Sequence, residues 1–245
     1  MKKFALFKKE KTTWSDKHSL YYHTKQYSDV KESTKHFLSF LNKNVMFTPN
    51  CKIIDVGCGA GAATHYISRN LHNVEVIGID LSKELIKIAK SRSNNGTKFM
   101  VGDILRLPLM SDVDGVFSIH TLMCLPNFQK PVKEILTKLR PDWFAISSLF
   151  YPGEIESINL LTENLKNRSV FYNTYSIPEL NRFVNKYGYS VKIYEPFNID
   201  IDIPPSDDLN NLGTYTVSMQ DSDKKLQISG PALMSWYFVL ISKNS

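Results

Sequence analysis

The chain predicts an open α/β fold, a mostly parallel sheet with helices on both faces, and three observations predict it. Near-continuous apolar runs recur at 52–56, 74–79, 98–101, 113–119 and 143–150, as strands buried on both faces do. Helical segments fall between them and supply the right-handed crossovers that parallel strands need. The first run, Ile53-Ile54-Asp55-Val56, empties into Gly57-Cys58-Gly59-Ala60-Gly61. Glycines so placed let the chain turn sharply out of a strand and bring bare backbone to a ligand, while the helix that follows offers unpaired N–H groups.

The 245 residues, 42% hydrophobic and 22% charged, suit one globular domain over 1–245 with a full core. Residues 1–50 form an extension without strand pattern, in which the stretch Trp14 to His23 is aromatic and polar and Val30 to Leu41 reads as a helix. A helix over Ala60 to Leu71 follows the glycine turn, and the second strand ends in Asp80. Ser82 can cap the next helix, with Leu81 and Ile86 as a hydrophobic staple and Leu85, Ile88 and Ala89 on one face. The third strand, Lys98 to Val101, runs into Gly102-Asp103-Ile104, and the fourth ends at Phe117-Ser118-Ile119-His120-Thr121. A helix from Pro131 to Leu139 stops at Arg140-Pro141 before the fifth strand.

Beyond residue 150 the pattern changes. Tyr151-Pro152-Gly153-Glu154 opens an insert over 151–175 that reads as helical, Ser176 to Tyr187 forms a helix, and Ser190 to Glu195 a sixth strand. A β-rich insert follows over 197–232, where Ile199 to Ile203, Thr214 to Met219 and Leu226 to Ser229 alternate as half-exposed antiparallel strands do. Trp236 to Ser242 reads as the last strand.

Net charge is +6 and the sequence pI is near 9.0. The lysines are spread along the chain and balanced locally by acids, which argues against nucleic acid as a partner and suits an acidic small substrate or anionic carrier equally well. No apolar run nears the ~18 residues of a membrane span. The basic start Met1 to Lys9 lacks the core and cleavage site of a signal peptide. Cys51, Cys58 and Cys124 have no metal-ligand spacing. A cytoplasmic protein with reduced cysteines and no metal is expected.

The spacing of the glycines bears on the ligand. In a dinucleotide fingerprint the third glycine would fall at Ala62, whereas here it is Gly61. Asp55 would repel a pyrophosphate and attract an ammonium group. Asp80, 25 residues after Asp55, is placed to accept from ribose hydroxyls. Asp55, Gly57, Gly59 and Gly61 together resemble motif I of the class I S-adenosylmethionine-dependent methyltransferases, and Gly102-Asp103-Ile104 resembles that family's adenine-binding strand tip.

The resemblance implies a Rossmann-like, seven-stranded sheet of order 3-2-1-4-5-7-6 with strand 7 antiparallel. It also implies S-adenosylmethionine as cofactor, leaving as S-adenosylhomocysteine, with contacts from Asp55, Gly57, Cys58, Gly59, Gly61, Asp80, Leu81, Asp103, Ile104 and His120. The N-terminal extension would act as a lid, with Trp14, Tyr21, Tyr22 and His23 lining the acceptor pocket together with Tyr151. His120, at the strand-four tip, is the candidate general base, with an ordinary pKa near ~6.5; the alternative is that it only hydrogen-bonds cofactor or backbone. Family members usually carry a glycine pair after the proline matching Pro141, and this chain has Asp142-Trp143. The expected activity is methylation of a small molecule such as a sugar, metabolite or natural-product intermediate, at oxygen ahead of nitrogen or carbon. An RNA methyltransferase, a nicotinamide oxidoreductase and an inactive binding protein of the same fold are the rivals.

Overall fold

A computed structural model describes residues 23–93, 97–166, 168–205, 207, 214–220, 222–229 and 236–244. Helix α1 (Glu32–Asn44) leads into β1 (Cys51–Val56), and α2 (Ala62–Asn70), β2 (Val74–Asp80), α3 (Lys83–Arg92), β3 (Lys98–Val101) and β4 (Gly115–Ile119) follow. Helix α4 (Gln129–Glu134) runs on into a π-helical turn, Ile135–Leu139, and stops at Arg140 in the left-handed region, just before Pro141. Then come β5 (Trp143–Tyr151), the hairpin β6 (Leu160–Glu163) and β7 (Arg168–Phe171), the short β8 (Tyr175–Ser176), α5 (Ile177–Asn185) and β9 (Tyr189–Pro196). A second hairpin, β10 (Thr214–Ser218) and β11 (Lys225–Ser229), precedes β12 (Trp236–Lys243).

The main sheet has the order β3-β2-β1-β4-β5-β12-β9, which is the expected 3-2-1-4-5-7-6 with β9 as the sixth strand and β12 as the seventh. Strands β1 to β5 pair in parallel, and β12 is antiparallel to both β5 and β9. Because side chains alternate across a strand, each strand feeds two cores. Ile54, Val56, Phe144, Ile146 and Phe150 pack with Val132, Leu136, Leu180 and Val184 on one face. Ile53, Ala145, Leu149 and Phe238 pack with Phe37, Phe40 and Ile67 on the other. Phe37 and Phe40 of α1 lie 5.4 and 5.5 Å from the Phe238 ring, so the helix before the first strand is anchored to the last one.

The predicted Ser82 cap holds, its Oγ accepting from Leu85 N at 3.2 Å, and Ser176 Oγ caps α5 in the same way, accepting from Glu179 N at 3.2 Å. Three expectations are corrected. Leu81 is 59% exposed while Ile86 is buried, so they form no staple. The helical insert over 151–175 is instead the β6–β7 hairpin, because Thr162, Val170 and Phe171 favour extended backbone; among the described residues its one helical turn is the short 3-10 segment Asn164–Lys166. Ile199 to Ile203 is no strand, and only Ile199 bridges to Lys225.

Candidate functional site

The carboxyl ends of β1, β2, β3 and β4 meet around the glycine turn, at the point where strand order reverses, the usual place for ligands in an open α/β sheet. Gly57, Gly59 and Gly61 have φ of +84°, +56° and +84°, a region that L side chains avoid. The loop is also closely packed. A Cβ at Gly57 would stand 2.2 Å from Thr121 Oγ1, one at Gly61 2.6 Å from the Phe99 ring, and one at Gly59 3.3 Å from the His23 ring.

Each predicted acid has a defined place. Asp55 is buried and accepts from Thr64 Oγ1, in the first turn of α2, at 2.6 Å. Burial pushes its pKa up to about 7, opposed by the Thr64 bond and aided by the neighbouring Asp80 charge. Asp80 bridges two elements, accepting from Gly59 N with Oδ2 and from Ser82 N with Oδ1, both at 2.8 Å. Burial raises its pKa as well, against the pull of those backbone donors. Gly57 N and Cys58 N donate to Ile79 O at 2.8 and 3.1 Å, which ties the loop to β2. Asp103 Oδ1 accepts from Leu105 N at 2.8 Å and shapes the turn after β3. Leu81 stands exposed beside these tips, while Ile104 packs against the core.

The Cys58 thiol turns away from the site into a small cluster with Ile86, Ala89 and Phe99, and burial, then the Asp55 and Asp80 charges, push its pKa well above the usual range. Only its backbone is placed to meet a ligand. His120 is strained, with φ of +57°; its N donates to Ser147 O at 2.8 Å and its ring centroid lies 4.4 Å from that of Trp236. Burial and then the Lys31 ammonium hold its pKa well below the ordinary histidine value. Thr121 Oγ1 donates to Gly57 O at 3.3 Å, which locks the β4 tip to the glycine loop.

Of the candidate acceptor contacts, His23 touches the loop and Tyr151 sits partly exposed at the end of β5. Trp14, Tyr21 and Tyr22 lie outside the described residues. Sequence reasoning missed Tyr27, whose Oη donates to Ala60 O at 2.6 Å. Its ring is flanked by His65 at 5.8 Å and by the Arg92 guanidinium at 5.2 Å. Burial pushes its pKa up to about 12, with the Cys58 charge adding and Arg92 opposing. Thr64 and Trp236 were missed too. Only Thr64, in the first turn of the helix after the glycines, stands where a residue-by-residue reading could have singled it out.

The residues present fit an adenosyl sulfonium. A buried carboxylate held near neutrality gains from a nearby cation, the loop brings backbone to the strand tips, and Asp80 and Asp103 retain acceptor lone pairs beyond the bonds they make. Among the described residues no group of His, Cys, Asp and Glu is arranged to hold a metal ion.

Comparison with known proteins agrees with this geometry. A family model described as a methyltransferase domain matches residues 47–195. A malonyl-[acyl-carrier protein] O-methyltransferase of Bacillus cereus is 26% identical over 163 residues, 66% of this chain and 60% of that protein. A phthiotriol/phenolphthiotriol dimycocerosates methyltransferase of Mycobacterium tuberculosis is 33% identical over 92 residues, 37% of this chain and 34% of that one. The chain thus spans less than two thirds of the length of these curated relatives, 60% of the first and 34% of the second. Among solved structures, a chain of the complex between the Haloferax volcanii Trm112 methyltransferase activator and a methyltransferase superposes with a TM-score of 0.63 at 19% identity, covering 93% of this chain and 96% of that one. Magnesium protoporphyrin IX methyltransferase from Synechocystis, with bound S-adenosylmethionine, gives 0.53 at 12%, covering 87% and 79%. At such identities the likeness is one of fold.

Proposed function

The chain belongs to the class I S-adenosylmethionine-dependent methyltransferase family, and from that premise we propose that it is an active enzyme that methylates an oxygen of a small molecule. The observation that carries the reading is the glycine loop held by Asp80 and faced by the strand-tip acids Asp55 and Asp103. Asp80 takes the ribose hydroxyls, Asp103 and the Ile104 N–H take the adenine edge, Leu81 flanks the ring, and Asp55 balances the cationic end of the cofactor. S-adenosylmethionine, when bound, supplies a methyl group on a cationic sulfur that leaves as a neutral thioether. The protein's part is chiefly alignment, which can supply roughly 7–11 kcal/mol of the barrier.

Oxygen as the acceptor atom is favoured by the relatives named malonyl-[acyl-carrier protein] O-methyltransferase. His23 and Tyr151 are the described candidates for acceptor contact, Trp14, Tyr21 and Tyr22 of the N-terminal extension remain candidates from sequence alone, and His120 faces the reacting oxygen. No described helix is long and apolar enough to cross a membrane. The free thiols of Cys51, Cys58 and Cys124 suit the cytoplasm. Calorimetric titration with S-adenosylmethionine and with NAD tests the reading. Binding of the first with micromolar affinity and not the second is expected, and the reverse would overturn it.

A further inference from the structure

The proposed reaction leaves open which kind of oxygen accepts the methyl group, and the β4 tip bears on that choice. His120 Nε2 is sealed from water and has no hydrogen-bond partner among the described residues, and the Ser147 hydroxyl is in the same state. Ser147 pairs with Ile119 on one side and Phe238 on the other, so it lies on the same sheet face as Trp236, two residues before Phe238, against which the His120 ring rests. Lys31, at the N-terminal boundary of α1, sits close enough for its charge to act on His120. Leaving buried polar groups unpaired is costly, and the left-handed backbone at His120 adds strain. Such costs gather where a ligand is to supply the missing partners.

Resting on the methyltransferase reading, we infer that the acceptor is a carboxylate on an apolar body, its oxygens held by His120 Nε2, the Ser147 hydroxyl and the Lys31 ammonium beside the Trp236 ring. The donor set is an imidazole, a hydroxyl and a cation, and no described hydrogen bond joins either His120 ring nitrogen to a carboxylate that would raise its basicity. An alcohol, with an acidity near water's ~15.7, must shed a proton to a base as the bond forms. His120 is a poor one, since burial and Lys31 both oppose its protonation. A carboxylic acid, with a pKa of about 4, arrives ionised at neutral pH. One carboxylate lone pair forms the new bond to the methyl carbon while the carbon–sulfur pair departs with sulfur. The negative and positive charges cancel, a methyl ester and a neutral thioether result, and no proton is released.

The test uses the full chain with S-adenosylmethionine and two matched series of probes, straight-chain and aromatic carboxylic acids and the alcohols of the same skeletons. Product is read by mass spectrometry and proton release by an indicator dye. Methyl esters without proton release are expected from the acids. Methyl ethers from the alcohols, or product from neither series, overturn the inference. Lys31→Met should raise KM for the acid about tenfold or more, the loss of one charge-assisted contact, with kcat and the dissociation constant of S-adenosylmethionine within twofold of the parent, and Lys31→Arg should restore it. His120→Asn, which tolerates the left-handed backbone, should lower kcat/KM for the acid by a similar factor. Unchanged KM in Lys31→Met also refutes the assignment. Calorimetry on the parent protein separates the two layers: S-adenosylmethionine that binds while acids go unmethylated refutes the carboxylate alone, and failure to bind refutes the methyltransferase reading beneath it.

Discussion

Asp55 is a carboxylate in a place that does not favour its charge. Its pKa rises from 3.8 to about 7 on folding, so the folded protein holds this proton more tightly than the unfolded chain does. The contribution to stability is therefore fullest below pH 4 and is lost as pH climbs through 7. A rise from 3.8 to about 7, with each tenfold change in proton affinity equivalent to ~1.36 kcal/mol, puts the loss on the order of 4 kcal/mol. Asp55→Asn keeps an oxygen to accept from Thr64 Oγ1 and removes the charge. The variant is expected to exceed the parent by only about 1 kcal/mol at pH 4.5 and by roughly 2–4 kcal/mol at pH 8, while binding S-adenosylmethionine at least tenfold more weakly if Asp55 faces its cationic end as proposed. Urea denaturation of both proteins at half-unit steps between pH 4.5 and 8 reads the first effect, and the difference between the curves cancels the other titrating groups. A gap that stays constant with pH would refute the burial argument, and tighter cofactor binding by the variant would remove Asp55 from the site.

Asp80→Ala leaves the N–H groups of Gly59 and Ser82 without their acceptor, and calorimetry should show S-adenosylmethionine affinity down by at least tenfold, about 1.5–3 kcal/mol. Gly57→Ala should lower stability by about 2–4 kcal/mol, a sum of left-handed strain and the clash with Thr121; in a Thr121→Gly background only the strain remains, so the midpoint shift in urea should shrink. Tyr27→Phe removes the bond to Ala60 O, and stopped-flow displacement should show S-adenosylmethionine leaving about fivefold faster, the equivalent of ~1 kcal/mol.

The first half of the fold was legible because its strands are buried on both faces. Under that constraint a strand is written as an apolar run, and the five runs from residue 52 to 150 fall within two residues of β1 to β5 at either end. The insert after β5 lacks the constraint. Its hairpin stands off the main sheet with Leu160 and Leu165 exposed, so its short strands carry no continuous apolar run of the kind that marks β1 to β5, and Tyr151-Pro152-Gly153-Glu154 resembled a helix start. The same contrast runs through the site. Asp55 works through Thr64, nine residues on, and the types and spacing of the glycines and of the strand-tip acids carried the message even where their partners lie farther off. Tyr27 reaches Ala60 across 33 residues, and Trp236 meets His120 only because β12 enters antiparallel beside the end of β5. Such meetings are properties of topology, and no local pattern records them.

The glycine loop shows why its motif speaks first about fold and only then about chemistry. Side chains at Gly57 and Gly61 would strike Thr121 and Phe99, residues of this chain, before they could obstruct any ligand. The need for glycine at those two positions is thus set by how tightly the tips of β3 and β4 close around the turn. Gly59 differs, because among the described residues a side chain there would meet the His23 ring, at a tight 3.3 Å, and its N–H is bound to Asp80. Discrimination between cofactors therefore rests on the acids around the loop, above all on a buried Asp55 that a pyrophosphate would leave worse off and a sulfonium zwitterion would relieve. On the proposed carboxylate reading, discrimination between acceptors rests further along the sheet, on the buried polar atoms of His120 and Ser147, where the strand order turns toward β12.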